Sequence, residues 1–241
     1  MLAVVLAAGR GTRMGALTAA TPKPMLRLRG RPILEHILRG LGGAGVRTVV
    51  IVTGYLGEQI EEYFGDGDKV GLGIVYRHQG NAEGTARALL LAGDVAGDED
   101  VVVSWGDVVI QPDEYCALID DFCRTPCDAL LSLNRTDDPW RGAAVYVDDR
   151  WQVTRLIEKP PRGTSTTTWN NAGVFVASSL LFEYAERLQP SARNEYELPQ
   201  AIAAMVSDGR VVRGHPLRGF WSDLGTAQDL AEAEEHYRDR S

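Results

Sequence analysis

The sequence predicts an α/β domain built on a parallel sheet covered by helices. Three observations carry that reading: an unbroken apolar run over residues 2–7 that ends in glycine-rich sequence, an alternation of β-branched runs with helical-period segments over the first half, and a composition of 44% hydrophobic and 24% charged residues in a chain of 241. Parallel strands need crossover connections, so a repeated strand, helix, strand order finds its simplest packing in a parallel sheet. The length suits one large domain with a sizeable core. No repeat, low-complexity tract or linker divides residues 1–241.

Residues 2–7 contain no polar side chain, the mark of a strand buried on both faces. Over 32–44, Ile33, Leu34, Ile37, Leu38 and Leu41 recur at helical spacing, with Pro32 suited to a first turn and Gly42 and Gly43 near the end. The β-branched run 46–53 reads as a second strand. A helix at 58–64, a strand at 73–76, a helix at 85–91 and a strand at 101–105 continue the alternation. The second half is less regular, with strands expected at 129–133, 143–147, 153–157, 172–176 and 211–215 and helices at 180–188, 198–207 and 226–238. Residues 160–168, rich in Pro, Gly, Ser and Thr, read as a mobile segment.

A net charge of −8 and a pI near 5.1 disfavour nucleic acid as partner, because binding a long polyanion is driven by Lys and Arg displacing its counterions. A compact anion needs positive charge only locally, and Arg10, Arg13 and Lys23 gather such charge near the first strand. Cys116, Cys123 and Cys127 are odd in number, and the first two fall in a helical stretch, so neither a disulfide framework nor a zinc pattern is indicated. The opening MLAVVLAAGRG is too short for a signal segment or a membrane span. A cytoplasmic protein without membrane contact is expected.

Chemistry-bearing residues begin directly after the first strand, at Ala8-Gly9-Arg10-Gly11-Thr12-Arg13-Met14. Gly9 and Gly11 permit successive backbone N–H groups to face one concavity, which favours phosphate oxygens, and Arg13 adds a planar charged fork. A dinucleotide fingerprint would need glycine where Met14 stands. Taken alone, the stretch also reads as a plain strand-to-loop turn. Thr21-Pro22-Lys23-Pro24 places a lysine between two prolines on stiff, extended backbone, so that its ammonium is aimed; an exposed rigid turn is the other reading.

With Leu17-Thr18 between them and Met25 after, these two segments resemble the signature of the sugar-1-phosphate nucleotidylyltransferases, or nucleotide-sugar pyrophosphorylases. The family pattern carries Pro where Ala16 stands, a departure that touches loop stiffness and no charged group. The resemblance runs through the whole chain and implies a Rossmann-like three-layer sandwich with a mixed, mainly parallel sheet. It implies a nucleotide-binding part over about 1–110 and a sugar-phosphate-binding part over about 111–241.

By the same resemblance, Leu6, Ala8, Gly9, Gly11, Thr12, Gln79, Gly84, Thr85 and Asp107 bind the nucleotide. In Gln79–Ala86, the Gln79 amide and the backbone at Gly84 would face a pyrimidine, whose alternating donor and acceptor edge suits a group that both donates and accepts. Read without the family, that segment is an ordinary helix start. Asp107, in Trp105-Gly106-Asp107, and Asp223, in Trp221-Ser222-Asp223-Leu224-Gly225-Thr226, would hold Mg2+, a hard cation that takes carboxylate, water and phosphate oxygens. Each has a plainer reading, as a turn after a strand and as a helix cap. Gly142, Glu158, Lys159, Asn171, Gly173 and Glu195 match positions lining the sugar-phosphate pocket, with Lys159 on the phosphate and Glu158 on sugar hydroxyls. Glu158 and Lys159 otherwise form a common surface pair, and Glu195 a helix start.

The implied reaction joins a nucleoside triphosphate, with UTP or dTTP favoured, to a sugar 1-phosphate, releasing pyrophosphate, with Arg13, Lys23 and Lys159 as its catalytic cations. The sequence ends soon after the helix following Thr226, from which a single activity is expected, without the C-terminal β-helix of bifunctional acetyltransferase relatives. Two alternatives stand beside this: a cytidylyltransferase or guanylyltransferase acting on another phosphate or phosphonate, and a non-catalytic sugar-nucleotide-binding regulatory subunit. Presence of Arg13, Lys23, Asp107, Lys159 and Asp223 together disfavours the second. Whether the chain forms a homo-oligomer stays open.

Overall fold

The computed structural model of the chain describes residues 1–81 and 83–238; Ala82, within the Gln79–Ala86 segment, lies outside them. In chain order come β1 (Leu2–Leu6), the short pair β2 (Arg27–Leu28) and β3 (Arg31–Pro32), α1 (Ile33–Gly43), β4 (Thr48–Thr53), α2 (Gly57–Phe64), β5 (Gly73–His78), α3 (Thr85–Leu90), α4 (Gly93–Ala96), β6 (Val101–Trp105) and β7 (Val109–Ile110). Next are α5 (Pro112–Arg124), β8 (Ala129–Arg135), β9 (Ala143–Val147), β10 (Val153–Glu158), β11 (Trp169–Ala177), α6 (Leu180–Glu186), α7 (Leu198–Ser207), β12 (Val212–Pro216), β13 (Trp221–Ser222) and α8 (Ala227–His236).

Among the described residues, nine strands form one mixed sheet. Its parallel block runs β5-β4-β1-β6, and β1 pairs β4 on one side and β6 on the other. The chain therefore steps outward from β1 through β4 to β5 and returns to the other flank at β6. That reversal opens a crevice beyond the carboxyl ends of β1 and its neighbours, where open α/β sheets bind ligands. Beyond β6 the sheet branches at β11, which runs antiparallel to β6, β8 and β9. The outer strands are β10 on β9 and β12 parallel to β8.

Strand β1 is buried on both faces because a helical layer covers each. Ala3 and Val5 pack with α1, α5 and Tyr237 on one side, while Leu2, Val4 and Leu6 pack with α3, α6 and α7 on the other. The three-layer expectation is met, and its cause is the continuous apolar run, since a half-exposed strand would alternate with polar residues.

Several boundaries differ from the expected ones. Strand β11 begins at Trp169, three residues before the apolar run, because Asn170 and Asn171 bury their amides in hydrogen bonds. Helix α8 stops at His236, where Tyr237 turns to extended backbone and buries its ring against His36 and Phe220. The segment 160–168 contains a turn closed by the Thr164 hydroxyl donating to Pro161 O at 2.6 Å, and Asp138 accepts from Gly163 N at 2.8 Å.

Candidate active site

One open cavity of about 650 Å³ lies at the carboxyl ends of β1 and β6. Leu6, Ala8, Gly9, Gly11, Thr12, Arg13 and Lys23 line its floor; Gln79, Gly84 and Thr85 one wall; Gly142, Glu158, Lys159, Asn171, Gly173 and Glu195 the other; Asp107 and Asp223 lie between. Every residue that the resemblance assigns to the site thus reaches the same cavity, whereas Arg10, the third cation near β1, does not line it and lies over the Tyr55 ring.

The loop after β1 takes its shape from Gly11. That residue is left-handed (φ 62°), and a Cβ on it would stand 3.0 Å from Lys23 Cβ, so the glycine serves both the turn and a close approach. Its carbonyl accepts from Met14 N at 2.9 Å and from the Thr18 hydroxyl at 3.0 Å, closing a 3₁₀ turn that Met14 anchors in the core. Gly9 differs from expectation: a Cβ there would meet nothing and its backbone has no left-handed angle, so Gly9 only leaves space open.

Lys23 does not sit on continuous extended backbone. Pro22 and Leu26 are extended, but Lys23–Met25 form a 3₁₀ turn, closed by Leu26 N on Lys23 O at 3.0 Å. The tightened turn directs the lysine inward, where it is only 4% exposed. Its Nζ donates to Asp107 Oδ2 at 2.6 Å and to the main-chain oxygen of Asp223 at 3.1 Å. The two aspartates, distant in sequence, are joined through one ammonium.

Each aspartate is held by its own turn. Gly106 N donates to Leu6 O at 2.9 Å, and a Cβ on Gly106 would stand 3.0 Å from Ala7, so glycine eases the close approach of the β6 end to β1. Asp223 Oδ1 accepts from Gly225 N at 3.3 Å, while Thr226 and Asp229 form the capping box of α8. The helix cap is therefore Thr226, and the Asp223 carboxylate is not spent on it. Arg13 Nη1 and both Asp223 carboxylate oxygens lie 3.3–3.4 Å from where a Gly225 Cβ would stand, so guanidinium and carboxylate share that corner.

The donors fit a hard cation. Asp107 and Asp223 offer carboxylate oxygens only, and an ammonium already rests on one of them, so positive charge is favoured there. Among the described residues no group of three or more His, Cys, Asp or Glu could hold a metal. A metal here would take most of its ligands from phosphate and water, the manner magnesium prefers and zinc does not.

On the opposite wall Lys159 takes a left-handed conformation (φ 44°), its N–H donating to Gly142 O at 2.7 Å. Glu158 Oε1 lies 3.8 Å from Lys159 Nζ and 3.6 Å from Arg193 Nη2, and Arg193 also pairs with Glu197. Burial pushes the Glu158 carboxyl above its ordinary range, opposed by Lys159 and Arg193. Burial likewise depresses the Lys159 ammonium, opposed by Glu158 and reinforced by the nearby guanidiniums of Arg193 and Arg13. Two guanidiniums close enough to act against the Lys159 charge mark a place where an anion is welcome. Gly142 is dictated by Asn170, whose Oδ1 would be 2.2 Å from a Cβ and accepts from Ala143 N at 3.1 Å. Gly173, left-handed at φ 82°, donates to Asn171 Oδ1 at 3.1 Å.

On the wall formed by Gln79, Gly84 and Thr85, Gln79 Nε2 donates to Gly84 O at 3.1 Å, so the two groups bond to each other rather than standing apart. The bond fixes the plane of an amide that retains a carbonyl oxygen and a second N–H for a ligand. Gly84 starts α3 without a side-chain cap, at φ 109°, and a Cβ there would be 2.5 Å from Tyr196 O. Thr85 does not cap the helix either; its hydroxyl accepts from Leu198 N at 2.9 Å.

Sequence reading passed over Arg193, Glu197, Asn134 and Asn170. Asn170 donates to Asn134 Oδ1 at 2.8 Å beneath the cavity wall, and the doubled asparagine 170–171 inside an apolar strand was the available signal. Nothing local marks Arg193, whose role depends on Glu158 arriving at the end of β10.

The description of the matching family model is nucleotidyl transferase, over residues 2–240. The nucleotidyltransferase of low-salt glycan biosynthesis from Haloferax volcanii is 33% identical over 98% of this chain and 65% of its own. A UTP–glucose-1-phosphate uridylyltransferase of the same organism is 32% identical over 100% of this chain and 98% of its own. A Streptomyces antibioticus glucose-1-phosphate thymidylyltransferase is 31% identical over 96% of this chain and 65% of its own. The chain spans 54% to 65% of the length of the first curated relatives it matches. A solved Bacillus anthracis structure, assigned as a glucose-1-phosphate thymidylyltransferase, superposes with a TM-score of 0.90 at 27% identity, covering 100% of this chain and 97% of its own. With the family model running over almost every residue, the chain belongs to the nucleotidyl transferase family.

Proposed function

We propose that the protein condenses a nucleoside triphosphate with a sugar 1-phosphate, giving a nucleotide sugar and pyrophosphate, with UTP or dTTP as nucleotide. The observation that carries this is the convergence of Arg13, Lys23, Lys159, Asp107 and Asp223 on one cavity. Two anions must be brought into contact, and cations from the floor and one wall answer their repulsion. A sugar-phosphate oxygen is already anionic, so it attacks the α-phosphorus without a general base, and pyrophosphate leaves in line. Catalysis is positioning and charge neutralisation.

In this reading the loop 9–13 holds the departing phosphates, with Arg13 as their counter-charge. Lys23 meets the α-phosphate. Lys159 holds the incoming phosphate, and Glu158, steadied by Arg193, accepts from sugar hydroxyls. Magnesium bound at Asp107 and Asp223 would supply Lewis-acid polarisation of the phosphoryl oxygens. The pyrimidine preference is supported by the Gln79–Gly84 geometry and by relatives named for uridylyl and thymidylyl transfer. Among the described residues no helix is long and apolar enough to cross a membrane.

The test is pyrophosphate release from UTP, dTTP, CTP, ATP and GTP, each with glucose 1-phosphate and Mg2+. UTP or dTTP should dominate, and Arg13→Ala should slow release by about 10²-fold. Turnover with none of them, or an unimpaired Arg13→Ala, sinks the assignment.

Lys159 adds a pH dependence. Its depressed ammonium loses its proton at lower pH than an ordinary lysine, so kcat/KM for the sugar phosphate should fall on the alkaline side earlier than a lysine of ordinary value would cause. Lys159→Arg keeps its charge throughout and should remove that limb from the normalised profile, whatever its absolute rate. An unchanged limb would assign it to another group.

A further inference from the structure

We propose that the Lys23 ammonium is a resident counter-ion of Asp107, which a divalent metal must displace and which only a nucleotide phosphate draws away. The proposal rests on the reading above and concerns the order in which that site fills. Lys23 is 4% exposed, with Nζ 2.6 Å from Asp107 Oδ2 and 3.1 Å from the Asp223 main-chain oxygen. A divalent ion on either oxygen of Asp107 would stand a few ångströms from that nearly buried ammonium, where like charges oppose each other even though the one-third exposed Asp107 is partly screened. Metal and lysine therefore compete for one carboxylate.

The side chain can leave without moving its backbone. Prolines on both sides and the 3₁₀ turn hold the Lys23 main chain, while Gly11, whose added Cβ would lie 3.0 Å from Lys23 Cβ and 3.4 Å from Cδ, keeps the flank of the stem clear. The loop with Gly9 and Arg13 borders the same cavity, so phosphate bound there offers the ammonium another anion within a short swing. As Lys23 turns, Asp107 is released, and metal enters with the nucleotide rather than ahead of it.

Mn2+ binding to the nucleotide-free protein, followed by the EPR signal of the free ion, tests this directly. Lys23→Met should bind Mn2+ roughly 10- to 100-fold more tightly than wild type, since the contact removed is a charge-assisted one. Arg13→Gln removes a charge from the same cavity but not from Asp107, and should gain much less. Equal affinity in Lys23→Met and wild type, or an equal gain in Arg13→Gln, overturns the exchange. Wild-type crystals soaked in MnCl2 give a second measurement independent of any variant. Anomalous density at Asp107 should require a non-hydrolysable triphosphate, with Lys23 Nζ moved off the carboxylate. Manganese at Asp107 with the Lys23 contact intact also overturns it. If pyrophosphate is released but these results fail, the exchange alone is wrong; if no triphosphate is turned over and manganese never binds, the assigned activity is wrong as well.

Discussion

Asp107→Ala should slow pyrophosphate release by about 10³-fold, on the order of 4 kcal/mol of lost transition-state stabilisation. Two losses coincide in this variant. One carboxylate of the proposed metal pair disappears, and Lys23, almost wholly buried, keeps only the Asp223 main-chain oxygen as a partner among the contacts described above. A buried ammonium deprived of a charged partner also lowers stability, here by about 1–3 kcal/mol because Asp107 itself is one-third exposed and partly screened. Asp107→Asn retains an acceptor for Lys23 and should recover most of that stability with little of the rate. Steady-state turnover read beside urea denaturation separates the two effects. A slow Asp107→Ala enzyme whose rate returned in full with Asn would mean that the carboxylate charge plays no part.

Gly84→Ala should be the most damaging small substitution in the cavity wall. At φ 109° a side chain is strained, and the new Cβ would lie 2.5–2.9 Å from the backbone O, N and C of Tyr196. Backbone cannot rotate aside as a side chain can. The two segments are also stitched together there, Ala86 N donating to Tyr196 O and Tyr196 N to Glu83 O, each at 2.8 Å. A cost of about 3 kcal/mol is expected, together with a rise in KM for the triphosphate as Gln79 loses the carbonyl that fixes its amide. Thermal unfolding and a KM measured well below the melting temperature check both parts. An unchanged KM would mean that the Gln79–Gly84 bond does not orient the base.

Much of this was legible in the sequence for a local reason. The apolar run of β1, the periodicity of α1 and the β-branched β4 fix their own conformations, because a strand buried on both faces and an amphipathic helix write their surroundings into their side chains. Gly11, Gly84 and Gly173 could be picked out, but their causes could not. The backbone of Tyr196, which excludes a Cβ at Gly84, belongs to a segment more than a hundred residues away. The same holds for Arg193, which needs Glu158 brought in by β10, and for the buried Asn134–Asn170 pair, which exists only once β8 lies against β11. Backbone detail around Lys23 was misread because flanking prolines bias a residue toward extension without forbidding a single tight turn.

The placement of Asp223 has a consequence for how the protein comes into being. It follows β13, which pairs with β7, and it precedes α8, which runs to the Tyr237 ring seated on His36 of the first helix. A ribosome-bound chain thus exposes Asp107 and Lys23 long before their partner emerges. The carboxylate pair is completed only once the stretch bearing Asp223 has been made and β13 has joined β7, so the two halves of the centre come together late relative to the first strands.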